Sequence, residues 1–330
     1  MKDIKHVDLV YQDLIRKALT EGNYKTNRTG VETISTFVAH YKIDISQGFP
    51  LLTTKKLDGY RWDSLIHEFL WYLSGEDHIR NLRTKTKIWD AWADKDGNLD
   101  TAYGRYWRRF PSAQKNSSTG LYEVTEVDQI AKVIELLKTK PNSDKMVVQA
   151  WEPGNAIHSK LPPCHYTFVF NVQGNKLNVQ LTQRSGDIGL GIPFNIAAYS
   201  ILDMVVAQET GFELGEFCHD IVDAHIYCGT KERGQFYKEN LPELRERVRD
   251  AKGLEDYLKV KEWVDLNAPL EENKDGLKDH VPGLLLQLSR EPRILPKLEI
   301  AKKPLDELKF EDFKLVNYDP HPGIKFAVAA

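Results

Sequence analysis

Apolar residues recur at helical spacing at the start of the chain, at Val7, Tyr11, Leu14 and Ala18, and predict an opening helix. The run NRTGVETISTFVAHYKIDIS then turns from polar to β-rich. WDSLIHEFLWYLSG predicts a helix that begins at Asp63 or Ser64 and stops at Gly75. Residues 94–126 read as loop-rich, with QKNSSTG as a mobile stretch. VDQIAKVIELLKTKP is an amphipathic helix ended by Pro141, and KMVVQAW, HYTFVFNV and KLNVQLTQ alternate as strands. Between the last two, VQGNKL predicts a hairpin with Gly174 and Asn175 at its turn. FNIAAYSILDMVVAQETG predicts a helix closed by Gly211, and IVDAHIYC, PKLEIA and FKLV predict strands. Residues 231–280 are charge-rich and helical in pattern, with a solvated face expected of an outer appendage. Strands and helices mix without regular βαβ alternation, which favours an α+β fold in a single domain, 1–330.

Composition narrows the class. Of 330 residues 41% are hydrophobic and 28% charged, enough for a substantial core. The net charge of −3 offers no electrostatic case for nucleic acid. Three cysteines, Cys164, Cys218 and Cys228, are too few and too oddly numbered for a disulfide scaffold and lack zinc-ligand spacing. No apolar run is long enough to span a bilayer, and charges interrupt the opening helix, so a cytoplasmic location is expected.

Candidate chemistry starts at LPPCHYTFVF. Pro162 and Pro163 lack N–H donors and suit a strand entrance. Cys164, Tyr166, Phe168 and Phe170 would then share one face, which allows a bland reading of Cys164 as a small core hydrophobe. A two-residue hairpin pairs Gln173 with Lys176, and carried down the strands it sets Cys164 opposite Ser185 and Tyr166 opposite Gln183. Arg184 then brings a fixed positive charge that favours a thiolate, and with Ser185 it suits an oxyanion or phosphate. The alternative for Arg184 is a solvated strand-end charge. On a helical wheel Glu68 falls between Trp71 and Tyr72, on a helix with little wet surface. A carboxyl there is either a structural partner or a proton shuttle with a raised pKa. Trp89 and Trp92 are either core or a stacking wall for a flat heterocycle. His219 reads as a core or exposed histidine, and no metal-ligand cluster is apparent.

NRTG, FPLLTTKK, IWDAWAD, PCH, QRSGDIGLGIPFN, DAHIY and DPHPGIK occur in that order, and together they resemble the thymidylate synthase family. The resemblance runs from Arg28 to the C-terminus, with interruptions near 111–126 and at about 231–280, a helical insertion relative to shorter members. It implies an α+β fold with a mixed or antiparallel sheet covered by helices, and a homodimer packed through that sheet. It implies conversion of dUMP to dTMP, with 5,10-methylenetetrahydrofolate as carbon and hydride donor, and no flavin or metal. By the same resemblance Cys164 is the nucleophile that adds to C6 of uracil. Glu68 organises water and relays protons, Tyr103 assists proton removal at C5, and His165 orders local hydrogen bonds. Asn195 reads the N3/O4 edge, since an amide offers both a donor and an acceptor. Arg28, Arg184 and Ser185 bind phosphate, Gln183, Asp187 and Lys145 join the nucleotide site, and His225 and Tyr227 meet the ribose. Trp89, Trp92, Asp187, Gly191 and Phe194 form the folate site. The FAVAA tail, with Ala329, closes over the ligands.

Two other readings share this scaffold. A pyrimidine-nucleotide hydroxymethylase would quench the transferred carbon with water, but a cytosine reader is expected to carry Asp where Asn195 stands. A catalytically weak nucleotide-binding homologue, such as an RNA-binding regulator, is disfavoured by Cys164, Glu68 and Asn195 together. One departure stands out. The family places two adjacent arginines just before the strand matching MVVQAW, reaching the partner's phosphate, and here Asp144 and Lys145 occupy those places.

Overall fold

The computed structural model describes residues 5–27, 29–271 and 278–329. Helices are α1 (Val7–Glu21), α2 (Tyr60–Ser74), α3 (Tyr103–Arg108), α4 (Gln129–Thr139), α5 (Pro153–Ala156), α6 (Gly191–Thr210), α7 (Lys231–Asp250), α8 (Leu254–Asn267) and α9 (Val281–Leu288). Strands are β1 (Asn23–Lys25), β2 (Thr33–Asp44), β3 (Phe110–Lys115), β4 (Tyr122–Val127), β5 (Val147–Gln149), β6 (His165–Gln173), β7 (Lys176–Gln183), β8 (Gly186–Asp187), β9 (Glu213–Tyr227), β10 (Lys297–Ile300) and β11 (Phe313–Val316).

The main sheet runs β1-β2-β9-β7-β6-β5, with β8 continuing β7 alongside β9. Its pairs are antiparallel except β7 and β8 with β9, which are parallel because α6 carries the chain across. This is the expected α+β fold with a mixed sheet. Helix α6 is apolar on nearly every side and fills the space over the sheet with Ile192, Ile196, Tyr199, Leu202 and Val206. The buried residues of α1 and α2 join the same core. Asp8 on α1 accepts the N–H groups of Thr53 and Thr54 at 2.9 and 3.0 Å, which ties the FPLLTTKK stretch to the core.

Three features change the local picture. Helix α2 begins at Tyr60, three residues before the expected cap, behind Gly59 and without a side-chain cap. It ends as predicted at Gly75, in the left-handed conformation that glycine tolerates. The stretch 94–126, read as loop-rich, contains α3 and the β3–β4 hairpin, with 116–120 at its turn. Helices α7 and α8 do not stand off as an appendage. Tyr237, Leu244, Val248, Val260 and Val264 are buried and belong to the main core.

Strand phase breaks along one line across the sheet. In β2 the inward residues are Ile34 and Thr36, then Ala39, Tyr41 and Ile43, with Phe37 and Val38 both exposed and Val38 at φ 56°. In β9 the inward set switches from Phe217, His219 and Ile221 to Ala224 and Ile226, opposite the break in β2. Strand β6 carries a bulge between His165 and Thr167, and Arg184 with Ser185 separates β7 from β8. Bulges re-aim side chains where they interrupt the ladder.

Candidate active site

The hairpin starts as predicted, with Gln173 opposite Lys176. The bulge then shifts the register by one, so Gln183 faces His165, not Tyr166. Arg184, not Ser185, meets the cysteine: its N–H donates to the Cys164 carbonyl at 2.8 Å. The shift also turns His165 inward with Phe168 and Phe170, in place of Cys164 and Tyr166. Cys164 is left half-buried at the strand entrance. Period-two counting fails here because a bulge inserts one unpaired residue.

Arg184 is anchored over the thiol. Its Nη2 donates to the Pro162 carbonyl at 2.7 Å and its Nε to the Pro163 carbonyl at 3.0 Å. Nη2 lies 3.7 Å from Cys164 Sγ. The two prolines thus hold the strand entrance and also supply carbonyls that aim the guanidinium. A cation at this distance favours thiolate over thiol.

An aromatic wall backs the cysteine. The Cys164 N–H donates to the Tyr103 hydroxyl oxygen at 2.7 Å, and Tyr103 stacks on His165 with ring centroids 3.8 Å apart. His165 is buried, and burial lowers its pKa to about 3, so the ring is neutral and bonds Tyr199 through Nδ1 at 2.8 Å. Tyr72 packs against both Tyr103 and His165. Glu68, one helical turn before Tyr72, accepts from Trp89 Nε1 at 2.6 Å and from the Tyr72 hydroxyl. Lost hydration raises the Glu68 pKa, and these two hydrogen bonds oppose the rise only in part. Glu68 as a whole residue is half-buried. Trp89 therefore does more than form a wall, since its indole N–H holds the carboxyl. Trp92 packs edge-on to it, and both line a hollow with Asp100, Thr101 and Leu161.

On the other side of the site, Gln183 Nε2 donates to the Ser185 carbonyl at 2.9 Å and to Asn195 Oδ1 at 3.2 Å. Asn195 sits in the first turns of α6, just after Gly191 and Phe194. Asp187 Oδ1 accepts the N–H groups of Gly189 and Leu190 and lies 3.5 Å from His280 Nδ1. Burial works to raise the Asp187 pKa, but His280, His225 and the Leu190 N–H hold it below the usual carboxylate value. Its strand neighbour His225 bonds the Asp223 carbonyl and packs on Tyr227.

The tail reaches this cluster. His280 Nε2 donates to the Ala327 carbonyl at 3.0 Å, and Phe326 packs on the His280 ring and under Lys55 Nζ. Gly283 permits the approach, since a Cβ there would lie 2.5 Å from the Phe326 ring. Burial lowers the Lys55 pKa to about 7, and its Nζ donates to the Gly189 carbonyl. Ala329 is half-buried beyond this contact.

Not every expected residue joins the site. Arg28 lies outside the described residues. Lys145 and Asp144 are exposed in the loop before β5, and the Lys145 N–H bonds locally to Ser143. Tyr72, Tyr199, Lys55 and His280 were missed. Helical spacing held a signal for two of them: Tyr72 is four residues after Glu68, and Tyr199 four after Asn195. One cluster of potential metal ligands was also unforeseen. His40, Cys218 and Asp220 bring their ligand atoms within 4.8 Å on the outer sheet face. There His40 already bonds Asp220 at 2.7 Å, and burial with Asp220 pushes the Cys218 thiol up to about 11.

A family model described as thymidylate synthase matches residues 9–330. The chain belongs to the thymidylate synthase family. A curated relative named thymidylate synthase, from Haloferax volcanii, is 56% identical over 326 residues, covering 96% of this chain and 95% of that protein. Family membership extends through α7 and α8 as well as the motif-bearing segments. Among the described residues, no helix is long and apolar enough to cross a membrane.

Proposed function

We propose that this chain converts dUMP to dTMP, taking both carbon and hydride from 5,10-methylenetetrahydrofolate and releasing dihydrofolate, with Cys164 as nucleophile. The observation that carries the residue assignment is the Arg184 guanidinium 3.7 Å from Cys164 Sγ, aimed by the carbonyls of Pro162 and Pro163. The thiolate adds to C6 of the uracil ring, and the electron pair of the C5–C6 double bond moves toward C5 and O4. C5 then bonds the one-carbon unit, loses its proton, and the folate nitrogen leaves. Hydride from the folate completes the methyl group while the C6–S bond breaks and Sγ recovers its electron pair.

Asn195 reads the base, with Nδ2 donating to O4 and Oδ1 accepting from N3–H. Glu68, with its raised pKa, serves water and proton relay near O4. The Tyr103 hydroxyl beside the Cys164 N–H assists proton removal at C5. His165 positions Tyr103 as a neutral stacked ring. Arg184 and Ser185 take the phosphate with Arg28, Gln183 and Asp187 shape the nucleotide site, and His225 and Tyr227 hold the ribose. Trp89, Trp92, Asp187, Gly191 and Phe194 hold the folate, and the tail through Ala329 covers it. Exposed apolar residues on an otherwise polar outer sheet face, Phe37, Val38, Val147 and Val222, support a homodimer packed through that face, with Lys145 reaching the partner's nucleotide. The chain works as one domain in the cytoplasm, with about 231–280 as a packed helical insertion.

Cys164→Ser is the direct test. Turnover of dUMP with methylenetetrahydrofolate, followed by dihydrofolate absorbance, should fall by several orders of magnitude while dUMP binding persists. Undiminished turnover would remove the mechanism, and tetrahydrofolate with a hydroxymethylated nucleotide from the unmodified chain would favour the hydroxymethylase.

A further inference from the structure

Three strands pass a chain of buried side chains to the base-reading amide. Tyr41 on β2 and His219 on β9 are register partners, and Gln183 closes β7 two residues beyond the partner of His219. Tyr41 is 9% exposed, His219 0% and Gln183 3%. The Tyr41 hydroxyl lies 2.6 Å from His219 Nδ1, and His219 Nε2 lies 3.0 Å from Gln183 Oε1. His219 is sealed from solvent, and Tyr41 and Gln183 are nearly so, which leaves little room for water to replace a lost partner.

The direction of each link is forced. The Ser185 backbone carbonyl can only accept, so the Gln183 atom 2.9 Å away is Nε2. Oε1 therefore faces His219, and His219 Nε2 must carry a proton. Burial holds the His219 ring neutral by lowering its pKa to about 3, so Nδ1 is bare and the Tyr41 hydroxyl donates to it. At the other end, the second Gln183 Nε2 proton points to Asn195 Oδ1 at 3.2 Å.

We propose that Tyr41 and His219 are specificity-determining positioning residues: they lock the Gln183 amide, which in turn locks Asn195 in the orientation that accepts uracil and rejects cytosine. The inference rests on Asn195 reading the base. Uracil presents N3–H and O4, and cytosine presents a bare N3 and an N4 amino group. An amide able to turn over would serve both. Turning Asn195 sets its Nδ2 against the Gln183 N–H, donor against donor. Turning Gln183 to relieve that clash sets Oε1 against the Ser185 carbonyl and an N–H against the His219 N–H, and moving the His219 proton to Nδ1 would make Tyr41 the acceptor and strand its buried O–H, which has no other acceptor among the described residues. An unpaired buried polar group is costly, so the preference propagates from Tyr41 to the base.

The test compares dissociation constants for dUMP and dCMP, by calorimetry or by competition, in the full chain and three variants. Tyr41→Phe keeps the ring and removes the hydroxyl that donates to His219 Nδ1, and His219→Phe removes the donor to Gln183. Each should lower the preference for dUMP over dCMP, about tenfold or more for His219→Phe, chiefly by tighter dCMP binding. A merely structural role would lower the melting temperature or weaken both nucleotides alike, leaving the ratio unchanged, and that result would overturn the proposal. Nitrogen-15 NMR of the unmodified chain provides a reading independent of any variant. His219 should be neutral with its proton on Nε2, and a proton on Nδ1 would equally overturn it. Asn195→Asp separates the two layers of the argument. If it leaves the ratio unchanged, Asn195 does not read the base and both ideas fail. If it inverts the ratio while Tyr41→Phe and His219→Phe do not move it, only the relay fails.

Discussion

Asp203 sits inside α6 with 0% exposure, and neither carboxyl oxygen has a hydrogen-bond partner among the described residues. Burial without compensation pushes its pKa well above the ordinary 3.8. The folded chain thus keeps a proton that the unfolded chain has lost, so this group's contribution becomes unfavourable as pH rises above 3.8. Asp203→Asn removes that linkage. Denaturant unfolding should show the variant more stable than the parent at pH 8, by about 1–3 kcal/mol, with the difference shrinking toward pH 4. A constant difference across that range would mean that Asp203 is paired in solution. Glu68 is shifted in the same direction for the same reason, but its bonds to Trp89 and Tyr72 offset part of the cost that Asp203 bears in full. Sequence reasoning singled out Glu68 because its helix showed little wet surface. It passed over Asp203 because a lone acid in an apolar helix looks the same whether it reaches solvent or not.

At the scale of elements, α7 is joined to the core by charge as well as by apolar contact. Arg233 in its first turn donates through Nε to Asp279 Oδ2 at 2.7 Å, and the Tyr237 hydroxyl donates to the same oxygen at 2.6 Å. Asp279 Oδ1 accepts the Val281 N–H at the head of α9, directly beside His280 and its tail contact. Arg233→Met leaves Asp279 buried against Tyr237 without its cation, and removing one partner of such a pair costs about 3–5 kcal/mol. The urea midpoint should fall accordingly, and a shift within error would mean that apolar contact alone holds α7. The charge density that suggested a solvated helix is real on its outer side, but Tyr237, Leu244 and Val248 are spaced along the inner one. Composition averages over those sides, and packing separates them.

Across the whole molecule, Asp144 and Lys145 lie exposed before the edge strand β5, where the family resemblance implies two arginines. If the sheet pairs two copies, Asp144 brings an anion toward the partner's nucleotide phosphate. Asp144→Arg should then lower the dUMP dissociation constant about tenfold, the effect of one charge-assisted hydrogen bond, most visibly at low salt. Equal or weaker binding would separate this loop from the phosphate.

The amino-acid sequence by itself determined what is locally encoded. Prolines, glycines and apolar periods assigned most helices and strands, because they act on the dihedrals and burial of their own segment. The Gly174–Asn175 turn specified Gln173 opposite Lys176 for the same reason. Ordered motifs identified the family, and the neighbourhood of Pro162, Pro163 and Arg184 marked Cys164. Tertiary structure alone decided the rest. The bulge after His165 replaced Ser185 with Arg184 opposite the cysteine, because one unpaired residue inverts every later position and leaves no mark in the alternation. His219, a histidine without distinction in the sequence, became a directional link because folding placed it between Tyr41, 178 residues away in the chain, and Gln183, 36 residues away. Hydrogen-bond direction depends on which buried atoms meet, and those meetings are made by the sheet.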